Sequence, residues 1–473
     1  METLKFKLTY DWKGIMKIKI IATLGPSTKN LKTVREMVLE GVSAFRINFS
    51  HGNEEEWNKH LKNVRKTEEE LRMVIGVGGD LKGGSVRLGY VEEPIKLKQG
   101  MELKMVNKVE DHEGNIPLPN DEFYNIVVPG DVILMDDGNI SLKVEEVREG
   151  EVKVRALTPG KITSRKGIVI RGREFNIPSI TEEDLNSIKF AVKNSMDYIG
   201  LSYVKSGEDV KKLRKILAEE GVEDIAIMSK IECVSAVKNL EEIVRESDMI
   251  LVARGDLGMQ FPLEEIPILQ HKIIETARLM GKPVIVATQV LASMMENPAP
   301  TRAEVTDVAH AIAEGVDGIM LTGETAVGKY PVEAVKWLRS IIEANEERTD
   351  VKLKPIDDDI QKRFAHSIAV LAESISSKLA IYTQKGRMAI RIAAYRPKIQ
   401  IYAASNNIKT LRKLTMVWGV KPIKVEANDY KEGLEATYQE LLKNKYISEY
   451  ETVVLTYGLI EEGEHIVKIK RKV

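Results

Sequence analysis

Side chains able to do chemistry recur at one kind of position in this 473-residue sequence: just after a short apolar run. Arg46, Asn48 and Ser50 close one run, and Asp80, Lys82 and Arg87 follow another. Lys230 with Glu232, Arg254 with Asp256, Thr288 and Glu324 close four more. A single charged residue after a strand is ordinarily a solvated loop, but the repetition points to one site assembled from several strand ends. Glu232 and Asp256 follow successive runs and offer hard oxygen donors; with waters and ligand oxygens they suit octahedral Mg²⁺. Neither an HExxH pair nor a histidine cluster competes, which disfavours zinc. Lys230 can share one side of an extended segment with Glu232 and neutralise charge that develops on an oxygen. Two adjacent cations call for an anionic ligand carrying phosphate and carboxylate. The plainer alternative is a set of ion pairs with Lys230 as a structural partner. Arg46, Arg87 and Lys166 add positive charge suited to phosphoryl oxygens or, equally, to solvent.

Such a site needs a scaffold that gathers strand ends. IKIIAT (Ile18–Thr23), SAFRINFS (Ser43–Ser50) and LRMVIGVGGD alternate with charged helical patterns at 29–40 and 54–70. After a break the rhythm resumes through DYIGLSYV, EDIAIMSKIE, DMILVARGD, PVIVATQ and VDGIMLTGETA. Three βα units before the break and five after make the eight of a closed (β/α)8 barrel, whose active sites lie at the C-terminal strand ends; a large open doubly wound sheet is the runner-up. Between about Ser85 and Thr163 the runs are β-prone, separated by Gly, Asn, Asp and Pro, without a convincing amphipathic helix. We therefore expect an α/β protein with an N-terminal extension (1–16), a barrel domain (17–84 and 164–346), an inserted small β-barrel-like lid (85–163) and a C-terminal α/β domain (347–473). KLAIYT, KIQIYAA, VKPIKV, ETVVLTY and HIVKIKRKV are the strand candidates of that last domain.

Lys plus Arg total 70 and Asp plus Glu total 71, for a net charge of -1. That balance argues against a general nucleic-acid or anionic-membrane binder. No apolar run approaches the roughly 20 residues of a membrane span, and METLKFKLTYDWKG has no signal-type apolar stretch, so the cytoplasm is the expected location. The lone cysteine, Cys233, excludes an intrachain disulfide and reads as a buried, inert thiol. No GxxxxGK[ST] loop and no GxGxxG turn between a first strand and helix are present, so a nucleotide would need another phosphate cradle.

The ordered blocks ATLGPST (Ala22–Thr28), FRINFSHG (Phe45–Gly52), MSKIE (Met228–Glu232), ARGDLG (Ala253–Gly258), KPVIVATQVLASM (Lys282–Met294), PTRAEVTDVAHAI (Pro300–Ile312) and MLTGETAVGKYP (Met320–Pro331) resemble the pyruvate kinase family. The resemblance spans almost the whole chain. It implies phosphoryl transfer from phosphoenolpyruvate to ADP, giving pyruvate and ATP. It also implies Glu232 and Asp256 as Mg²⁺ ligands, with a second Mg²⁺ arriving with the nucleotide, and Lys230 stabilising the transferred phosphoryl group and the enolate. Arg46, Gly255, Asp256 and Thr288 match substrate-contacting positions, with Arg46 and Thr288 also counted as catalytic. Arg87, Lys166, Asn48 and His51 fall on the nucleotide side, although His51 reads more readily as a packed or surface residue. Asn48, Ser50, Asp80 and Leu81 match a monovalent-cation position, and Asp137 is a candidate lid residue facing the cleft. A homotetramer is implied by the resemblance alone.

Two departures stand out. Where the family often has DTKGPEIR, this chain has DLKGGSVR (Asp80–Arg87), so Leu81 removes a hydroxyl and Ser85 replaces a glutamate linked to potassium dependence. Reduced or absent K⁺ activation is the expectation. In YTQKGRM (Tyr382–Met388), Thr383, Lys385, Gly386 and Arg387 are a candidate effector loop, but Met388 stands where a small hydroxyl residue is common. Fructose 1,6-bisphosphate activation is therefore doubtful. A metal-dependent lyase or aldolase acting on related substrates is the rival enzyme reading, and a metabolite sensor the non-enzymatic one.

Overall fold

The computed structural model describes residues 16–107, 114–136, 138–348, 359–458 and 465–471. Eight parallel strands close a barrel in chain order: Lys19–Leu24, Val42–Asn48, Gly76–Asp80, Tyr198–Leu201, Ala226–Ile231, Met249–Ala253, Val284–Ala287 and Gly318–Leu321. Lys19 pairs with Gly318, so the first strand meets the last. These strands are buried on both faces, which is why they read as continuous apolar runs rather than alternating ones. Their outer faces are covered by amphipathic helices such as Gly207–Glu219, which buries Val210, Leu213 and Leu217 on one stripe. Inside, Tyr198 fills the barrel across from Gly78, where a Cβ would stand 2.4 Å from the ring, and its hydroxyl donates to the Phe45 carbonyl at 3.0 Å. A side chain at Gly78 would therefore evict the ring that plugs the barrel.

The lid is a seven-stranded sheet with a two-stranded ribbon (Ile95–Leu97 against Gly160–Ile162), and it packs its own core around Met105, Phe123, Ile133, Leu142 and Val152. Strand Gly167–Ile170 pairs with Val86–Arg87 and Val132–Met135, which carries the lid past the boundary expected at 163. One short helix interrupts it, Asp121–Ile126, where none was expected. Six residues are too few to show a helical period; the Asn120 side chain starts the helix by accepting from the Phe123 N–H at 3.0 Å.

The five expected C-terminal strands all form, in the sheet order Val420–Lys424, Ile401–Ser405, Lys378–Tyr382, Val453–Thr456, Val467–Lys470. The first four are parallel and the last is antiparallel. This domain is clamped to the base of the barrel. Arg396 Nη2 meets Asp317 Oδ2 at 2.7 Å, with both side chains under a tenth exposed. Arg412 grips Glu68 at 2.5 Å, and Lys19 Nζ donates to the Val420 carbonyl at 2.7 Å. Asp317 and Lys19 lie at the N-terminal ends of barrel strands, so the domain grips the end opposite the polar strand termini.

Candidate active site

The fifth barrel strand, AIMSKI, stays buried until it delivers Lys230 at its C-terminal end, with Glu232 just beyond. Residues two apart in extended chain share a face, and Lys230 Nζ lies 2.6 Å from Glu232 Oε1. Asp80, last residue of the third strand, places Oδ2 3.5 Å from the same ammonium and 2.8 Å from Arg46 Nε. Arg46 comes from the second strand, and its Nη1 reaches Thr23 Oγ1 of the first strand at 3.3 Å. Four strand ends thus build one cluster of alternating charge. Glu232 and Asp80 are buried, at 1% and 2% side-chain exposure, while Lys230 and Arg46 keep 12% and 11%.

Three further residues that the motif reading passed over complete the cluster. Lys230 donates to Ser202 Oγ at 2.9 Å, and that hydroxyl donates in turn to the Leu81 carbonyl at 2.8 Å. Tyr203, at a left-handed φ of 51°, donates its N–H to Glu232 Oε2 at 2.7 Å and sets its hydroxyl 3.5 Å from Asp256 Oδ1. Thr23 anchors Arg46. The signal for Ser202 and Tyr203 was available: they follow LSYV's apolar strand as Lys230 follows its own. Asp256 lies on the helix Arg254–Gln260, which begins where the sixth strand stops.

Burial works against the Lys230 ammonium, but the carboxylates of Glu232 and Asp80 outweigh it and hold its pKa above the usual range. Burial likewise opposes ionisation of Asp80, and Arg46 and Lys230 reverse the sign, so its carboxyl sits below the ordinary range. Glu232 is pushed up, by burial first and by the like charge of Asp256, against the pull of Lys230. The centre therefore keeps a protonated lysine among crowded carboxylates. Asp80 Oδ1 is buried without a hydrogen-bond partner.

Among the described residues, no three His, Cys, Asp or Glu side chains group as a metal cage. Glu232 and Asp256 are instead a two-carboxylate pair, to which substrate and water would add the other oxygens. That donor set suits Mg²⁺, which is ordinarily held by one or two carboxylates plus phosphate oxygens.

The other expected residues divide. The Thr288 hydroxyl accepts from the Gly255 N–H at 2.7 Å and donates to the Ala287 carbonyl at 2.6 Å. Thr288 and Gln289 both have positive φ, 67° and 52°, and Arg254 holds their carbonyls at 3.0 and 3.1 Å while pairing with Asp307. Arg254 is thus a brace for the Thr288 turn. Asn48 accepts from the Ser50 N–H at 3.1 Å, and His51 is kept below the usual imidazole range by burial and by Arg87 and Arg46. Arg87 and Lys166 flank the paired lid strands where they leave the barrel; Arg87 Nε donates to Ser85 Oγ at 3.1 Å and Lys166 pairs with Asp136. Asp137 lies outside the described residues. Lys82 bonds Glu183 at 2.6 Å, and Glu324 spends both oxygens on the Leu291 and Thr322 N–H groups, so these two strand-end residues are structural. Cys233 is buried, with its thiol pushed up to about 12 by burial. In the C-terminal loop, Thr383 Oγ1 accepts from the Gly386 N–H at 3.0 Å, while Lys385 and Arg387 are exposed.

Fold and site together define a (β/α)8-barrel transferase with an inserted lid and a charged centre at the barrel mouth. Residues 15–335 match the family model "Pyruvate kinase, barrel domain", and 362–469 match "Pyruvate kinase, alpha/beta domain". The chain is 37% identical over 455 residues to a pyruvate kinase of Aeropyrum pernix, covering 96% of this chain and 98% of that one. It is 37% identical over 447 residues to one of Thermotoga maritima, covering 93% and 96%. The crystal structure of pyruvate kinase from Pyrobaculum aerophilum superposes with a TM-score of 0.85 at 36% identity, covering 97% of this chain and all of that one. The chain belongs to the pyruvate kinase family.

Proposed function

We propose that this chain transfers the phosphoryl group of phosphoenolpyruvate to ADP, with Lys230 as the principal charge stabiliser. The observation that carries this reading is the meeting of Lys230, Glu232, Asp80 and Arg46 within hydrogen-bonding distances at one barrel mouth. In the reaction the ester P–O bond of phosphoenolpyruvate breaks and a P–O bond to a β-phosphate oxygen of ADP forms. The electron pair left on the substrate oxygen is an enolate, which takes a proton at carbon to give pyruvate. Mg²⁺ held by Glu232 and Asp256, with a second ion on the nucleotide, would supply Lewis-acid polarisation and charge neutralisation of the phosphoryl oxygens.

The chain's own groups supply the remainder. Lys230 is fixed by Glu232, Asp80 and Ser202, so its ammonium meets developing oxyanion charge without reorganising. Arg46 is oriented through Nε by Asp80, which leaves a guanidinium edge for substrate phosphate. Tyr203 fixes the spacing of the two carboxylates. The Thr288 hydroxyl is engaged by backbone on both sides, so it serves to shape the substrate floor with Gly255 rather than as an independent acid. Arg87 and Lys166 ride on the lid, where closure would bring them to the nucleotide phosphates beside Asn48 and His51 and exclude water.

Asn48, Ser50, Asp80 and Leu81 form a weak monovalent-cation position that the reaction does not require. A cytoplasmic homotetramer is part of this reading; among the described residues no helix is long and apolar enough to cross a membrane. The test is pyruvate release from phosphoenolpyruvate as ADP and Mg²⁺ are varied. Release that requires both, with one ATP per pyruvate, supports the reading. Pyruvate formed without ADP would assign the site to a lyase instead.

A further inference from the structure

The lid returns to the barrel through residues 171–181, between strand Gly167–Ile170 and helix Glu182–Lys193. Within that return, residues 173–177 hold both domains. Arg173 Nε pairs with Asp131 Oδ1 of the lid at 3.1 Å, and the Asn176 N–H donates to Glu122 Oε1, on the lid helix, at 3.2 Å. Glu174, next to Arg173, reaches the other way. Its Oε1 accepts from the Ser235 N–H at 2.6 Å and its Oε2 from the Ser235 hydroxyl at 2.5 Å. The carbonyls of Phe175 and Ile177 accept from Lys205 Nζ at 2.6 and 2.9 Å.

Both barrel partners stand on connections that carry groups of the mouth. Ser235 lies in helix Val234–Lys238, which starts two residues beyond Glu232 and receives no side-chain cap from its own Cys233. Glu174 supplies that cap from the lid connection, satisfying a first-turn N–H with a charged acceptor. Lys205 stands two residues after Tyr203, whose N–H holds Glu232 Oε2, and Asn239 Nδ2 donates to the Lys205 carbonyl at 2.8 Å. The outgoing lid connection is tied elsewhere: the Lys82 and Gly83 N–H groups donate to Asp184, on helix Glu182–Lys193, which carries none of the mouth residues. A Ser, Thr, Asp or Asn at position 233 would cap helix Val234–Lys238 from within. Taking the cap from residue 174 makes the first turn after Glu232 depend on where the lid sits.

We propose that Glu174 is a positioning residue that couples the lid to Glu232. A nucleotide that draws the lid down moves the strap 173–177, and the Glu174 grip on Ser235 passes that movement to the connection holding the Glu232 carboxylate. The proposal rests on the reading of Arg87 and Lys166 as lid residues that meet the nucleotide.

The test compares the full chain with Glu174→Ala and with E174A/C233S, in which the serine restores a cap to the helix but no tie to the lid. Hydrogen–deuterium exchange is read with and without ADP and Mg²⁺. In the unaltered chain exchange should slow at the lid, residues 86–88 and 164–170, and also at 233–239. In both variants the lid should still be protected, the added protection at 233–239 should be lost, and kcat should fall about tenfold. Added protection at 233–239 that survives Glu174→Ala, or that returns together with kcat in E174A/C233S, would overturn the proposal and leave Glu174 a helix cap. Lid protection without any change at 233–239 in the unaltered chain would also overturn it. No protection at the lid of the unaltered chain would instead refute the nucleotide reading, and the coupling with it.

Discussion

Lys230, near the end of the fifth barrel strand, and Glu232, just beyond that strand, form a 2.6 Å ion pair that a third group, Asp80, joins at 3.5 Å from the ammonium. The pair has a purpose beyond mutual neutralisation. Buried carboxylates keep Lys230 charged, and a lysine charged before substrate arrives is already arranged for the anion that phosphoryl transfer leaves behind.

Potassium dependence is expected to be weak. Position 85, glutamate in many relatives by the sequence resemblance, is a serine whose hydroxyl is engaged by Arg87, and the Leu81 carbonyl is engaged by Ser202. Turnover in a sodium- and ammonium-free buffer should be unchanged by saturating K⁺. The variant Ser85→Glu should acquire a K⁺ requirement, and a strong K⁺ activation of the unaltered chain would contradict the account.

The Asp317–Arg396 bridge should carry much of the attachment between barrel and C-terminal domain. Removing one partner of a buried pair strands the other charge, a loss of about 3–5 kcal/mol. Arg396→Leu should therefore lower the urea midpoint sharply, whereas the double variant D317L/R396L should recover part of the loss. Equal effects of the single and double variants would show that no charge is stranded.

Lys19 supplies a pH signature. Burial lowers its pKa from 10.5 to about 8, with Glu346 and Asp317 opposing and Lys421 adding to the shift. Between these two values the unfolded chain holds a proton that the folded chain has released, so this group makes stability rise with pH from about 8 to 10.5. The variant Lys19→Met should lack that increment. The measurement is the difference between the two chains' unfolding free energies at pH 7.5 and pH 10; a difference independent of pH would remove the assigned cause.

The barrel and its mouth were legible because one rule, polar residues at the ends of apolar strands, repeats around the ring. The partners within the mouth were less so. Nothing in local spacing says that Lys230 shares Asp80 with Arg46, since closure of the barrel decides which strand ends meet. The same rule also overreached, because Glu324 and Lys82 follow strands yet serve only as backbone and surface partners. The grip on the C-terminal domain was invisible: Arg396, at a φ of 50°, meets an aspartate 79 residues away that looks like any strand-leading acid. Short elements such as Asp121–Ile126 are decided by one cap and leave no period to read.

The central claim is that Lys230 acts on the charge formed during transfer rather than on substrate affinity. Steady-state kinetics of Lys230→Met, with phosphoenolpyruvate binding measured separately by calorimetry, tests it most directly. The account predicts that kcat falls by about 10²–10³ while the Kd for phosphoenolpyruvate stays nearly unchanged. A comparable loss in both, or turnover that survives the substitution, would contradict it.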